Sequence, residues 1–176
     1  MAREMRVVPY DGRWPEQYAL IRAGLLGIFG PLAVEIHHIG STAVPGLHAK
    51  PIIDVLVVVR NIAAVDALDS RMRAAGYIPR GENGIPGRRY FVMPAPDGEN
   101  HTQHIHCYAP GNPRIADELL FRDTLRADAM ARREYGRVKL HAAETFRFSP
   151  GDYEAHKSGC VASILQGARR STSRTS

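Results

Sequence analysis

Residues 52–59, IIDVLVVV, constrain this chain more than any other stretch. An extended segment with that sequence is apolar on both faces, which is how a strand buried on two sides reads, so the chain must supply cover above and below it. Asp54 breaks the pattern. A carboxylate in such a run is costly unless it is paired or bound to a cation. Upstream, Val34–Ile39 reads as a second strand with Val34, Ile36 and His38 on one face and Glu35, His37 and Ile39 on the other. The connection carries Gly40-Ser41-Thr42, Pro45, Gly46, Lys50 and Pro51, a polar loop of a size to take a phosphate group.

The flanking segments supply that cover. Trp14, Tyr18, Ile21 and Leu25 recur at helical spacing, and Gly30-Pro31 ends their helix. Asn61 caps a second helix with the stripe Val65, Leu68 and Met72, and Gly76 stands where a left-handed cap belongs. A short strand at Tyr77–Arg80, a mobile glycine-rich loop at Gly81–Gly87, and strands at Arg88–Met93 and His101–Tyr108 follow. Helices at Ala116–Ala127, at Met130–Thr145 and after Ser149-Pro150 close the chain.

At 176 residues the chain suits one domain, expected to span 1–168. The formal charge of +5 owes much to Arg169, Arg170 and Arg174 in the run ARRSTSRTS, which has nothing to bury. Residues 169–176 are therefore expected to be a disordered basic tail, and nucleic acid is not an expected partner. No apolar run approaches the roughly 18 residues of a membrane span, and no secretory segment precedes the first turn. Cys107 and Cys160 read as buried free thiols, which suits a cytoplasmic protein.

Chemistry concentrates in a few places. Gly40-Ser41-Thr42 offers backbone N–H groups and hydroxyls in a tight turn, a good match for phosphate oxygens. His104 and His106 share one strand face with Tyr108, opposite Gln103, Ile105 and Cys107, so two imidazoles can reach one metal or anion. Arg88 and Arg89 can clamp phosphate through guanidinium forks. Lys157 falls in line with Tyr153, Cys160 and Ile164, which places an ammonium on an inward face. Arg122 and Asp123 read as an ion pair between helices.

With these residues assembled, the sequence resembles the GrpB family, a nucleotidyltransferase-like group of small bacterial proteins. The likeness rests on V-x-P-Y-D-x-x-W at Val7–Trp14, H-I-G-S-T-A-V-P-G-L at His38–Leu47, A-K-P-I-I-D at Ala49–Asp54, H-x-H at His104–His106, L-x-F-R-D-x-L-R at Leu119–Arg126, and Tyr153 with Lys157. It implies an α/β or α+β fold, a mixed sheet flanked by helices with a C-terminal helical portion. It also implies that Gly40 and Ser41 bind the phosphates of a nucleotide and that Asp54 binds a metal. One departure stands out. Active members of the polymerase-beta-like superfamily carry two acids two residues apart on this strand, whereas Ile52 and Leu56 flank Asp54 here.

The expected function is a metal-dependent transferase acting on a nucleoside triphosphate, with Asp54 and Lys157 as its catalytic residues. Gly40, Ser41, Thr42 and Lys50 would hold phosphates. Asp54, His104 and His106 would hold Mg²⁺ or a transition metal, and Lys157 or Arg89 would neutralise the transferred group. The alternative is a non-catalytic module for a nucleotide or phosphometabolite. A histidine-triad phosphoester hydrolase is a weaker one, because it calls for a third histidine where the chain has Tyr108.

Overall fold

The β-branched run is a central strand, and its two neighbours in the sheet bring the candidate residues to it. The computed structural model describes residues 6–173. In order, the elements are α1 (Trp14–Phe29), β1 (Ala33–Ile39), β2 (Ile53–Val59), α2 (Asp69–Ala74), β3 (Ile78–Pro79), β4 (Arg89–Pro94), β5 (His101–Tyr108), α3 (Pro113–Ala127), α4 (Ala129–Thr145) and α5 (Pro150–Ser173). The sheet order is β1-β2-β5-β4-β3. Among the described residues only β2 and β5 pair in parallel, with Asp54 opposite His104 and Leu56 opposite His106. The other pairs are antiparallel, so the sheet is mixed.

Alternation along the strands separates two environments. Ile53, Val55, Val57, Val59, Ile105, Cys107 and Phe91 face Trp14, Leu25 and Phe29 of α1 and Met72 of α2 in the larger core. On the opposite face, Ile39, Leu56, Val58 and Tyr108 pack against Ile115 and Leu119 of α3. Asp54, His104 and His106 continue that second face where the apolar cover ends. The helical half has its own core, in which Phe121 and Leu125 of α3 meet Tyr135 of α4, the loop residues Val44 and Leu47, and Ile164 and Leu165 of α5.

Several boundaries differ from the sequence expectation. The second helix starts as a 3-10 turn over Ala63–Leu68, with Asn61 Oδ1 accepting from the Ala63 N–H, and only then becomes α2. The short strand shrinks to Ile78–Pro79. α3 begins at Pro113 because Asn112 caps it, its Oδ1 accepting from the Arg114 N–H, and proline suits the first turn. The disordered tail expected from residue 169 is corrected as far as Ser173: α5 continues, and Arg169 donates to Asp117 of α3, which ties this end of the helix down. Residues 174–176 lie outside the described residues. Cys160 is half-buried rather than buried. Among the described residues, no helix is long and apolar enough to cross a membrane.

Ile105 is fully buried where β5 meets the α1 layer. Ile105→Ala is expected to lower the unfolding free energy by roughly 2–5 kcal/mol, through lost transfer energy and the cavity left behind. Urea denaturation followed by circular dichroism measures it.

Candidate metal and phosphate site

Gly40 is the hinge between β1 and the loop. Its φ of +67° belongs to the left-handed region, and a Cβ built there would lie 2.6 Å from Asp54 Oδ2. Glycine is therefore required twice, by backbone conformation and by the close approach of the carboxylate. A 3-10 turn follows over Ser41–Ala43, with the Val44 N–H donating to the Ser41 carbonyl at 3.1 Å.

Thr42 is spent on holding this turn. Its hydroxyl donates to the Ile52 carbonyl at 3.2 Å, so it is left to accept from His38 Nε2 at 3.0 Å. His38 stacks on the Tyr18 ring, 4.7 Å between centroids. Burial pushes its pKa down to about 4, with Arg126 and Arg122 adding to the effect and the Asp54 charge opposing it. A neutral imidazole with its proton on Nε2 fits this arrangement.

At the parallel seam, His104 Nδ1 donates to Asp54 Oδ1 at 3.1 Å, and His106 Nε2 lies 3.7 Å from the same oxygen. Burial works to raise the Asp54 pKa, but hydrogen bonds and charge from the two histidines outweigh it and hold the carboxyl well below its usual range. His101 Nδ1 lies 3.1 Å from His104 Nε2. Arg88 Nη1 approaches His106 Nδ1 at 3.5 Å, while its other nitrogens donate to the Glu82 and Asn83 carbonyls.

One oxygen of Asp54 and one nitrogen from each of His104 and His106 all lie within 4.8 Å of one another. One carboxylate and two imidazoles suit a single Zn²⁺, Mn²⁺ or Ni²⁺ better than a pair of Mg²⁺ ions, which would need many more oxygen ligands. Metal ligation at His104 Nδ1 would put that ring's proton on Nε2, where His101 can accept it. Glu118 of α3 lines the same cavity; burial raises its pKa, His106 opposes that, and the Asp54 charge reinforces it.

The cavity measures about 770 Å³, and a group of lysines lines it along with this cluster. Lys139 is 2% exposed and donates to the His48 carbonyl at 2.7 Å. Burial, and next the neighbouring Lys157 and Lys50, push its pKa well below the ordinary value. Lys50 and Lys157 each reach Glu154 at 2.9 Å, and both ammonium groups lie over the Tyr153 ring.

Gly40, Ser41, Thr42, Lys50, Asp54, His104, His106 and Lys157 thus line one cavity. Arg89 does not. Its guanidinium donates to Asp66 at 2.5 and 2.9 Å, because strand alternation turns Arg89 to the face that carries Phe91. Arg88 borders the cavity instead, and its bonds to Glu82 and Asn83 also tie down the glycine-rich loop expected to be mobile. Arg122 does not pair between helices: it bonds its own neighbour Asp123 at 2.7 Å and donates to the His38 carbonyl of β1 at 3.1 Å. Sequence reasoning passed over Lys139, Glu118 and Glu154. For Lys139, a lysine four residues after the buried Tyr135 on α4 was the available signal.

A family model described as GrpB protein matches residues 4–167. The UPF0157 protein YqkA of Bacillus subtilis is 42% identical over 96% of this chain, which spans 48% of that relative's length. A Mycolicibacterium paratuberculosis protein named dephospho-CoA kinase is 32% identical over 86% of the chain and 42% of its own length. The crystal structure of the conserved protein GrpB from Enterococcus faecalis superimposes with a TM-score of 0.84 at 34% identity, covering 92% of this chain and 98% of that one. The Cid1 poly(U) polymerase superimposes with a TM-score of 0.54 at 16% identity, covering 78% of this chain and 43% of that one. At that identity the likeness concerns the fold, which is nucleotidyltransferase-like.

Two outcomes test this geometry. Gly40→Ala is expected to cost roughly 1–3 kcal/mol of stability by urea denaturation, since strain at positive φ adds to displacement of Asp54. His38, with a folded pKa near 4 against 6.5 unfolded, contributes stability that is complete above the unfolded value and is lost as pH falls through the folded one. The loss is on the order of 3 kcal/mol. Melting temperature should therefore fall between about pH 6.5 and pH 4, and His38→Gln should flatten that fall.

Proposed function

The chain belongs to the GrpB family, and on that footing we propose that its cavity binds a nucleotide or another phosphorylated metabolite through one divalent metal ion, with nucleotidyl transfer as the reaction served. The observation that carries this reading is the convergence of Asp54, His104 and His106 beside the Gly40–Thr42 turn, with Lys50, Lys139 and Lys157 lining the same cavity.

A bound metal would supply Lewis-acid neutralisation of phosphoryl oxygens. The protein's own parts divide the remaining work. The Gly40–Thr42 turn lines the cavity, and the His38–Thr42–Ile52 chain of hydrogen bonds fixes its shape. Lys50 and Lys157 supply positive charge for phosphate at the cavity wall, and buried Lys139 adds a donor behind them. α3 and α5 complete the cavity wall, with Glu118 on the one and Lys157 on the other.

Two comparisons support a phosphate-handling role: the nucleotidyltransferase-like fold, and the alignment with part of a protein named dephospho-CoA kinase. A second reading, a binding module without turnover, draws on the single strand carboxylate, since Ile52 and Leu56 replace the flanking acid. The histidine hydrolase loses ground because Tyr108, 1% exposed, is committed to the apolar cluster with Ile39, Leu56 and Val58.

Thermal shift with Mn²⁺, Zn²⁺ or Mg²⁺ and a panel of nucleotides, followed by product analysis, tests the proposal. A metal–nucleotide pair at about 100 times its dissociation constant should add roughly 2.7 kcal/mol. Asp54→Ala and His104→Ala should abolish the metal-dependent part, while His37→Ala, a surface control paired with Glu35, should keep it. No shift with any nucleotide would refute the reading, and a shift without product would reduce it to the binding module.

A further inference from the structure

The lysine end of the cavity is unbalanced. Lys50, Lys139 and Lys157 meet there, and Glu154 is the one carboxylate that pairs with any of them among the described residues. An ammonium has three donors, yet among the described residues Lys50 donates one hydrogen bond, to Glu154, Lys139 one, to the His48 carbonyl, and Lys157 has its ion pair with Glu154. Between them lies Tyr153, 0% exposed, whose hydroxyl has no hydrogen-bond partner among the described residues. Its ring carries both cations on its face, with the Lys50 and Lys157 ammoniums 4.8 and 4.5 Å from the centroid.

Glu154 differs from its neighbours. Its side chain is 57% exposed, and one oxygen reaches each of two lysines at 2.9 Å, so it spans them as two oxygens of a phosphate could. Resting on the phosphate-binding reading above and deepening it, we propose that Lys50 and Lys157 form a subsite for a terminal phosphoryl group of the ligand, and that Glu154 competes with that group for the same two ammoniums. The subsite favours ligands with a phosphate chain, such as a nucleoside di- or triphosphate, over a monophosphate, because the metal cluster and the two lysines line one cavity and each takes a phosphoryl group. Glu154 then sets a threshold: an anion of single charge gains little by displacing a carboxylate already in place, whereas a more highly charged group gains more.

Isothermal titration with inorganic tripolyphosphate in EDTA tests this without metal, and so separates it from the metal-dependent reading. Wild-type protein should bind, with affinity falling as salt rises. Glu154→Gln should tighten binding by roughly two- to tenfold, the range expected when exposed ion pairs no longer compete. Lys157→Met should weaken it. No tripolyphosphate binding by wild type, or Glu154→Gln binding no tighter than wild type, overturns the subsite. Either result leaves the metal-dependent reading to its own test.

Discussion

The parallel pairing of β2 with β5 is the constraint on which the site depends. It sets Asp54 beside His104 in register and His106 two residues further along, on the face that also carries the apolar Ile39, Leu56 and Val58. A one-residue slip would turn both imidazoles into the α1 layer and leave the carboxylate unpaired, so the apolar alternation that stabilises the core also specifies the site. Parallel neighbours need a long crossover, and this one contains α2, β3 and β4. The strand that carries the histidines therefore arrives only after the chain has built the sheet's other edge.

Much of this was legible in the sequence. A β-branched run with one acid identifies a buried central strand, and the two-residue spacing of His104 and His106 puts both on one face whatever the neighbouring strand turns out to be. What periodicity could not supply was which face of each strand looks into the cavity. Arg88 and Arg89 illustrate the limit. Both guanidiniums suit phosphate, and a shift of one residue in the pleat sends Arg89 to Asp66 and leaves Arg88 beside His106.

The helical half was harder to read, for a different reason. Lys139 and Glu154 take their roles from the packing of α4 and α5 against the loop at Leu47–Lys50, contacts separated by about 90 to 104 residues in sequence. Neither local propensity nor spacing within one helix reports such a meeting. The end of α5 was misread because its composition is polar, yet one ion pair from Arg169 to α3 and the preceding apolar stripe sustain the helix.

The absent second acid on β2 bears on how the proposed reaction would be electrostatically supported. A site with two metal ions neutralises a phosphate chain largely with the ions, and its protein ligands are mostly carboxylates. Here the donor set suits one ion, and positive charge resides instead on lysines from the loop and from two helices. Such an arrangement trades the strong, close field of a second dication for several cations fixed at a distance, which makes ligand binding more dependent on ionic strength and on the charge of the phosphate chain. Lys139 is costly where it stands: burial, and next the neighbouring Lys157 and Lys50, lower its pKa, and a polyanion entering beside it would oppose that shift.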